Sequence, residues 1–157
     1  MAIGMILWSA VAAMSQSPAS EVLSETLRAH LRDAPLGLVT SIRGLPLGVR
    51  DQLQTMFGGT LDIAEPGAEF RRDGRDSNPK LPTRRMVSAG CSRDFYCLIY
   101  YERGGTEHTW RAVLFHWTPA ATRFEWGGTA PGGFATIDAV RKAILSGVIK
   151  GGRTAGW

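Results

Sequence analysis

Few side chains in this 157-residue sequence are equipped for chemistry: three histidines, two cysteines and one close pair of glutamates. His108 and His116 are eight positions apart, about 27 Å along an extended strand, so they cannot share a metal ion. His30 falls on the apolar side of a helical stretch and reads as a hydrogen-bonded core residue. His108, next to Glu107 and close to Gly104-Gly105, is the best-placed acid–base candidate. Glu102 and Glu107 are the kind of carboxylate pair that serves glycosidases or cation sites, although at a hairpin tip such groups splay into water. No nucleophile elbow accompanies them, because Ser88-Ala89-Gly90 lacks the GxSxG pattern, and the phosphate-loop signature is absent. A small hydrolase-like enzyme using His108 near Glu102 and Glu107 is therefore the alternative expectation. No residue is assigned a catalytic role, and no metal or cofactor is implied.

The cysteines carry a clearer message. Cys91 and Cys97 enclose Ser-Arg-Asp-Phe-Tyr, with no further Cys or His at zinc-ligand spacing. On facing strands of a hairpin they can reach the Cβ separation of about 3.5–4.5 Å that a disulfide needs. Such a bridge belongs to an oxidising compartment, and the front of the chain points the same way. Lys+Arg number 18 and Asp+Glu 14, yet none precedes Glu21. The apolar run Ala2–Met14 would make a helix of about 20 Å, too short for a hydrocarbon core of about 30 Å. It fits the h-region of a secretory signal, although no Lys or Arg precedes it. The expectation is a signal segment over residues 1–17 and one domain over 18–157, periplasmic or secreted. Cytoplasmic residence is the alternative if the first segment is not a signal. No membrane span is expected.

The elements that must position these residues follow from pattern. With 44% hydrophobic and 20% charged residues, the chain can bury a core and is neither disordered nor fibrous. Ser17-Pro18 reads as a helix start, followed by Val22, Leu23, Leu27, His30 and Leu31 at helical spacing up to Ala34-Pro35. A second helix is expected from Pro46 to Phe57, ended by Gly58-Gly59. A third follows Thr136, with Ile137, Val140 and Ile144 on its apolar side. Between them, Met86–Cys91, Phe95–Tyr101, His108–Trp117 and Arg123–Trp126 are rich in β-branched and aromatic residues. The fold class is α+β: an antiparallel meander of about four to five strands with three helices packed on it. The last ten residues read as frayed.

If Gly104-Gly105 form a two-residue turn, Tyr101 faces His108, Ile99 faces Trp110, Cys97 faces Ala112 and Glu102 opposes Glu107. Both sheet faces are then largely apolar, whereas a half-solvated sheet should have one polar face. Either helices cover both faces or one face is an aromatic recognition surface. Tyr100, Arg111 and Trp117 are the binding candidates on that second face.

The excess of basic residues, with a pI near 9.5, permits anionic partners. The basic run over residues 71–93, which includes Arg84 and Arg85, lacks the interleaved aromatics of a nucleic-acid surface. It reads as surface solvation, and no specific nucleic-acid partner is expected. The functional expectation is a small exported, non-catalytic binding or structural module that meets a protein or small ligand through an aromatic sheet face or its hairpin tips.

Overall fold

The computed structural model describes residues 22–73, 78–152 and 157. The expected signal segment over 1–17 and the Ser17-Pro18 cap lie outside them. The described chain forms β1 (Gly37–Val39), β2 (Arg84–Cys91), β3 (Tyr96–Arg103), β4 (Thr109–Trp117), β5 (Thr122–Ala130) and β6 (Lys150–Gly151), with α1 (Glu25–Asp33), α2 (Leu47–Met56) and α3 (Ile137–Leu145). The strands join in chain order into one six-stranded antiparallel sheet. The α+β class is as the sequence reads, with two short edge strands added. One of them, Lys150–Gly151, comes from the segment expected to fray: it pairs with Gly128 and Thr129.

Local chemistry fixes the helix ends. Ser24 caps α1, its Oγ accepting from Leu27 N–H at 3.2 Å, so Val22 and Leu23, expected within the helix, lie ahead of it. Thr136 caps α3 through Ala139 N–H at 3.2 Å, and Asp138 sits in its first turn, where the helix dipole favours a carboxylate. Pro46 precedes α2, as expected of a residue with fixed φ at a helix entrance.

Both faces of the sheet are covered. Leu27 and Leu31 of α1, and Ile137, Val140 and Ile144 of α3, pack on Leu98, Tyr100, Leu114 and Trp126. On the other face Val49 and Leu53 of α2, with Phe57, Ile42 and Leu45, pack on Met86, Ile99, Tyr101, Val113 and Phe115. Two apolar faces in the sequence thus mean a sheet sandwiched between helices, and the open aromatic face is corrected accordingly. Tyr100 has no exposed surface. Burying an aromatic or aliphatic side chain of this size is worth about 1.5–3 kcal/mol, which is the use the fold makes of that face.

The expected β3–β4 register is also corrected. Arg103 pairs with Thr109, Tyr101 with Arg111, Ile99 with Val113 and Cys97 with Phe115. The register is displaced by three residues, and an odd displacement moves every partner to the other face. Gly104 is the cause. Its N–H donates to Thr83 O at 2.9 Å, and a Cβ there would lie 2.8 Å from both the Cα and the carbonyl oxygen of Arg72. Gly104 is therefore needed for a backbone crossing, and the connection runs on to His108. In β2 a bulge between Met86 and Ser88 puts Val87 with the α1–α3 cluster rather than beside Ala89.

Candidate functional site

Where β2, β3 and β4 meet near the Arg103–Thr109 connection, each face of the sheet carries a group of charges. The two groups are built differently. On the α1–α3 face, Arg85, Glu102 and Trp110 lie side by side across three strands. Arg85 Nε donates to Glu102 Oε1 at 2.7 Å, its NH2 forms a second contact with the same oxygen, and NH1 donates to Ala68 O at 3.2 Å. His108 Nε2 donates to Glu102 Oε2 at 2.8 Å. The imidazole packs 4.4 Å from the Trp110 ring, centroid to centroid, and Arg85 lies 4.7 Å over Phe70. Glu102 is 4% exposed, and both of its oxygens are engaged by groups that can carry positive charge.

The opposite face is not balanced in this way. Arg84 and Arg103 stand directly across from each other on β2 and β3, a like-charge pairing that opposes sheet formation. Arg111 of β4 pairs with Tyr101 and Thr129. Arg84 and Arg111 are each 7% exposed. Arg84 meets the Asp62 carboxylate at 2.9 Å, lies 4.1 Å over the Phe57 ring and donates through NH2 to the main-chain oxygen of Trp157. Arg111 donates to Thr129 Oγ1 at 3.0 Å and lies 5.7 Å from the Trp157 ring centroid. Among the described residues no carboxylate faces Arg111. The ionisable groups acting on it are Tyr101 and Arg103, and burial with the charge of Arg103 pulls its pKa below the usual arginine value. Between the guanidinium groups the Tyr101 hydroxyl is fully buried and has no hydrogen-bond partner among the described residues. Burial pushes its pKa up to about 12 against the pull of Arg84, Arg111 and Arg103. Nε of Arg84 and Nε of Arg111 are also buried without hydrogen-bond partners among the described residues. Thr129, the acceptor for Arg111, lines an open hollow of about 470 Å³ at the β5–β6 edge, together with Val148 and Lys150.

The structure disperses the other sequence candidates. Tyr100 is buried on the α1–α3 face, donating to Gly132 O at 2.6 Å. Trp117 is at the far end of β4, edge-on to Phe95 at 5.3 Å. Arg111 alone of the three binding candidates stands in the cationic cluster. His108 and Glu102 do meet, whereas Glu107 is exposed on the β3–β4 connection and does not oppose Glu102. No hydroxyl or thiol among the described residues hydrogen-bonds His108, and among them no group of three His, Cys, Asp or Glu side chains is arranged to hold a metal. His30 is hydrogen-bonded to Ser92 Oγ at 3.0 Å and stacked on Tyr96 at 4.0 Å, tying α1 to the β2–β3 hairpin. Cys91 and Cys97, opposite each other in that hairpin, form a disulfide with Cα atoms 4.1 Å apart.

Sequence reasoning missed Arg84, Tyr101 and Trp157. The available signal was weak: Gly127-Gly128 inside a strand, which marks close approach by another group. Trp157 is what approaches. A Cβ on Gly127 would lie 2.8 Å from Cζ3 of Trp157 and closer still to Cη2.

No family model, curated protein or solved structure matches the chain. No helix among the described residues is long and apolar enough to cross a membrane.

Proposed function

We propose that this protein is a small, exported, non-catalytic binding module whose ligand presents an anionic group to Arg84 and Arg111 at the end of its sheet. The observation that carries this reading is the asymmetry between the two faces. Arg85 is matched by a carboxylate that also receives His108, while Arg111 is just as deeply placed in the fold and faces none among the described residues. A buried cation without a counter-charge costs several kcal/mol, more than the single neutral hydrogen bond to Thr129 returns. A long apolar side chain would fill the same space at lower cost. Retaining arginine is intelligible if an anion completes the cluster. Export is supported by the Cys91–Cys97 bridge and the uncharged first 20 residues.

The test is thermal melting in acetate against chloride at equal ionic strength, for the wild type and Arg111→Met. Ligand that binds only the folded state raises stability by RT ln(1 + [L]/Kd). The expected result is a rise of a few degrees in acetate for the wild type and none for the variant. Identical melting in both salts for both proteins refutes the reading.

A hydrolase using His108 is the second reading, favoured by the 2.8 Å bond to Glu102, which orients the imidazole as a general base requires. No hydroxyl or thiol among the described residues hydrogen-bonds His108 to serve as its nucleophile. Such a hydrolase calls for a water-activating mechanism, and loss of all esterase and glycosidase activity in His108→Gln, against measurable activity in the wild type, is its test.

A further inference from the structure

A hydroxyl and an imidazole meet at the end of the sheet away from Arg111. Ser92 follows Cys91 directly, at the start of the β2–β3 turn, and its Oγ lies 3.0 Å from Nε2 of His30 on α1. Oγ also accepts from Tyr96 N–H at 3.2 Å, which holds the hydroxyl in place and leaves its proton for the ring nitrogen. Burial lowers the His30 pKa, so the imidazole is largely neutral at pH 7 and Nε2 can accept that proton. The charge of Asp94 favours the imidazolium that would result. Hydroxyl, base and carboxylate are the parts from which activated serines are made.

The turn that carries Ser92 is rigid at its base and open at its tip. The Cys91–Cys97 bridge and the bond of 2.7 Å from Ser92 N–H to Tyr96 O close it from below. Ser92 itself is 6% exposed, whereas Arg93, Asp94 and Phe95 are exposed. The main-chain N–H groups of Arg93 and Asp94 have no acceptor among the described residues. Such groups beside a nucleophile are the donors that stabilise an oxyanion. Phe95 is held at φ 65°, a left-handed conformation that is rare for a bulky side chain and concentrated at functional sites. Its ring stays edge-on to Trp117 and 42% exposed, an apolar surface on the same turn. A serine that only tied α1 to the hairpin would need no aromatic held in strain beside it.

We propose that Ser92 is a nucleophilic serine, with His30 as its base, that takes up an acyl group from an activated ester. Oγ bonds to the ester carbonyl carbon as its proton passes to His30 Nε2, and the carbonyl oxygen becomes an oxyanion. When the carbonyl re-forms, the bond to the leaving oxygen breaks and the leaving alcohol takes the proton from His30. The products are acyl-Ser92 and one alcohol, with the imidazole neutral again. This is a covalent modification of the protein, at a site that shares no residue with the anion site at Arg84 and Arg111.

Intact mass and peptide mapping of the full chain after exposure to p-nitrophenyl acetate test the proposal. The expected result is an acetyl group on Ser92, with p-nitrophenol released in equal amount. General-base help is worth about 10²–10⁴-fold, so Ser92 of His30→Gln should be acetylated at least about a hundredfold more slowly. In the wild type the rate should rise with pH as the imidazole loses its proton. Its midpoint should lie below the ordinary histidine value of about 6.5, because desolvation, with His116 adding to it, outweighs Asp94. That profile needs no variant, so the test holds even if His30→Gln folds poorly. Acetyl groups on lysines or the N-terminus and none on Ser92, or a Ser92 rate unchanged in His30→Gln, would overturn the proposal. So would a Ser92 rate that shows no midpoint below about 6.5. Because the label is read by its position, acylation at Ser92 is separate from any activity of His108.

Discussion

Tyr101 and Arg111 stand directly opposite each other on β3 and β4, both buried; among the described residues the phenol has no hydrogen-bond partner and the guanidinium meets no carboxylate. An unsatisfied buried hydroxyl costs about 1–3 kcal/mol. Tyr101→Phe removes that cost while keeping the ring edge-on to Phe57 at 5.5 Å. Its stability in urea should equal or exceed that of the wild type by up to about 1 kcal/mol, while acetate stabilisation is reduced. A loss of more than about 1 kcal/mol would mean that the hydroxyl has a structural partner and is not waiting for a ligand.

Glu102 gives the opposite expectation. It is the carboxylate for both Arg85 and His108, and removing one member of a buried, hydrogen-bonded charge group typically costs about 3–5 kcal/mol. Glu102→Ala should lose at least about 3 kcal/mol in urea denaturation, and Arg85→Met should lose less, because Glu102 keeps His108. If Glu102→Ala is neutral, the network is ornamental and the contrast between the two faces loses its force.

Much of this arrangement could be read in the sequence, and the part that could not has definite causes. The α3 cap, the course of α2 and the Cys91–Cys97 pairing are local, set by residues within a few positions of one another. The β3–β4 register is not, because Gly104 is placed by the backbone of Arg71 and Arg72, some 30 residues away in sequence. The displacement of three residues that follows broke the expected Glu102–Glu107 opposition and brought Arg111, rather than His108, opposite Tyr101. Burial of Arg84 was hidden for another reason. Among the charges of residues 71–93 it looks solvated, and nothing local reveals that Phe57 and Asp62 close over it.

His30 makes stability depend on pH. Desolvation lowers its pKa, partly offset by Asp94 and reinforced by His116. The groups facing it are Ser92, Tyr96, Asp94 and His116 on the β2–β3 hairpin and β4. A histidine with a folded-state pKa below its unfolded value of about 6.5 binds its proton more readily in the unfolded chain. Its unfavourable contribution is absent above about 6.5, and stability falls as pH drops from there toward the depressed folded value. His30→Gln should flatten that part of the profile in urea titrations between about pH 7 and pH 5. An unchanged slope would assign the dependence to other groups.

The disulfide closes a short loop, with a sequence separation of 6, so chain entropy predicts about 2 kcal/mol from it. Intact mass before and after reduction and alkylation of native protein should show one bridge. Cys91→Ser/Cys97→Ser should lower stability by about that amount without altering the acetate response, since Arg111 lies at the other end of β4. Two free thiols in native material would remove the argument for an oxidising compartment and return the chain to the cytoplasmic alternative. The same variant losing its acetate response would mean that the hairpin and the cationic cluster are coupled through β3.

Gly127→Ala separates the ring from the charge. The added methyl would overlap the Trp157 indole and lie 2.9 Å from Phe124 Cζ, so the indole must leave, whereas Arg84, Arg111 and Tyr101 keep their backbone positions. The loss of one stacked aromatic is worth about 0.5–1.5 kcal/mol beyond its area, with strain at Phe124 adding to it. The Trp157 indole resonance should move to the position of a solvated tryptophan. Acetate, which needs no room at Gly127, should then stabilise Gly127→Ala at least as strongly as the wild type. An acetate effect abolished by this single methyl would show that Trp157 holds the cationic cluster together.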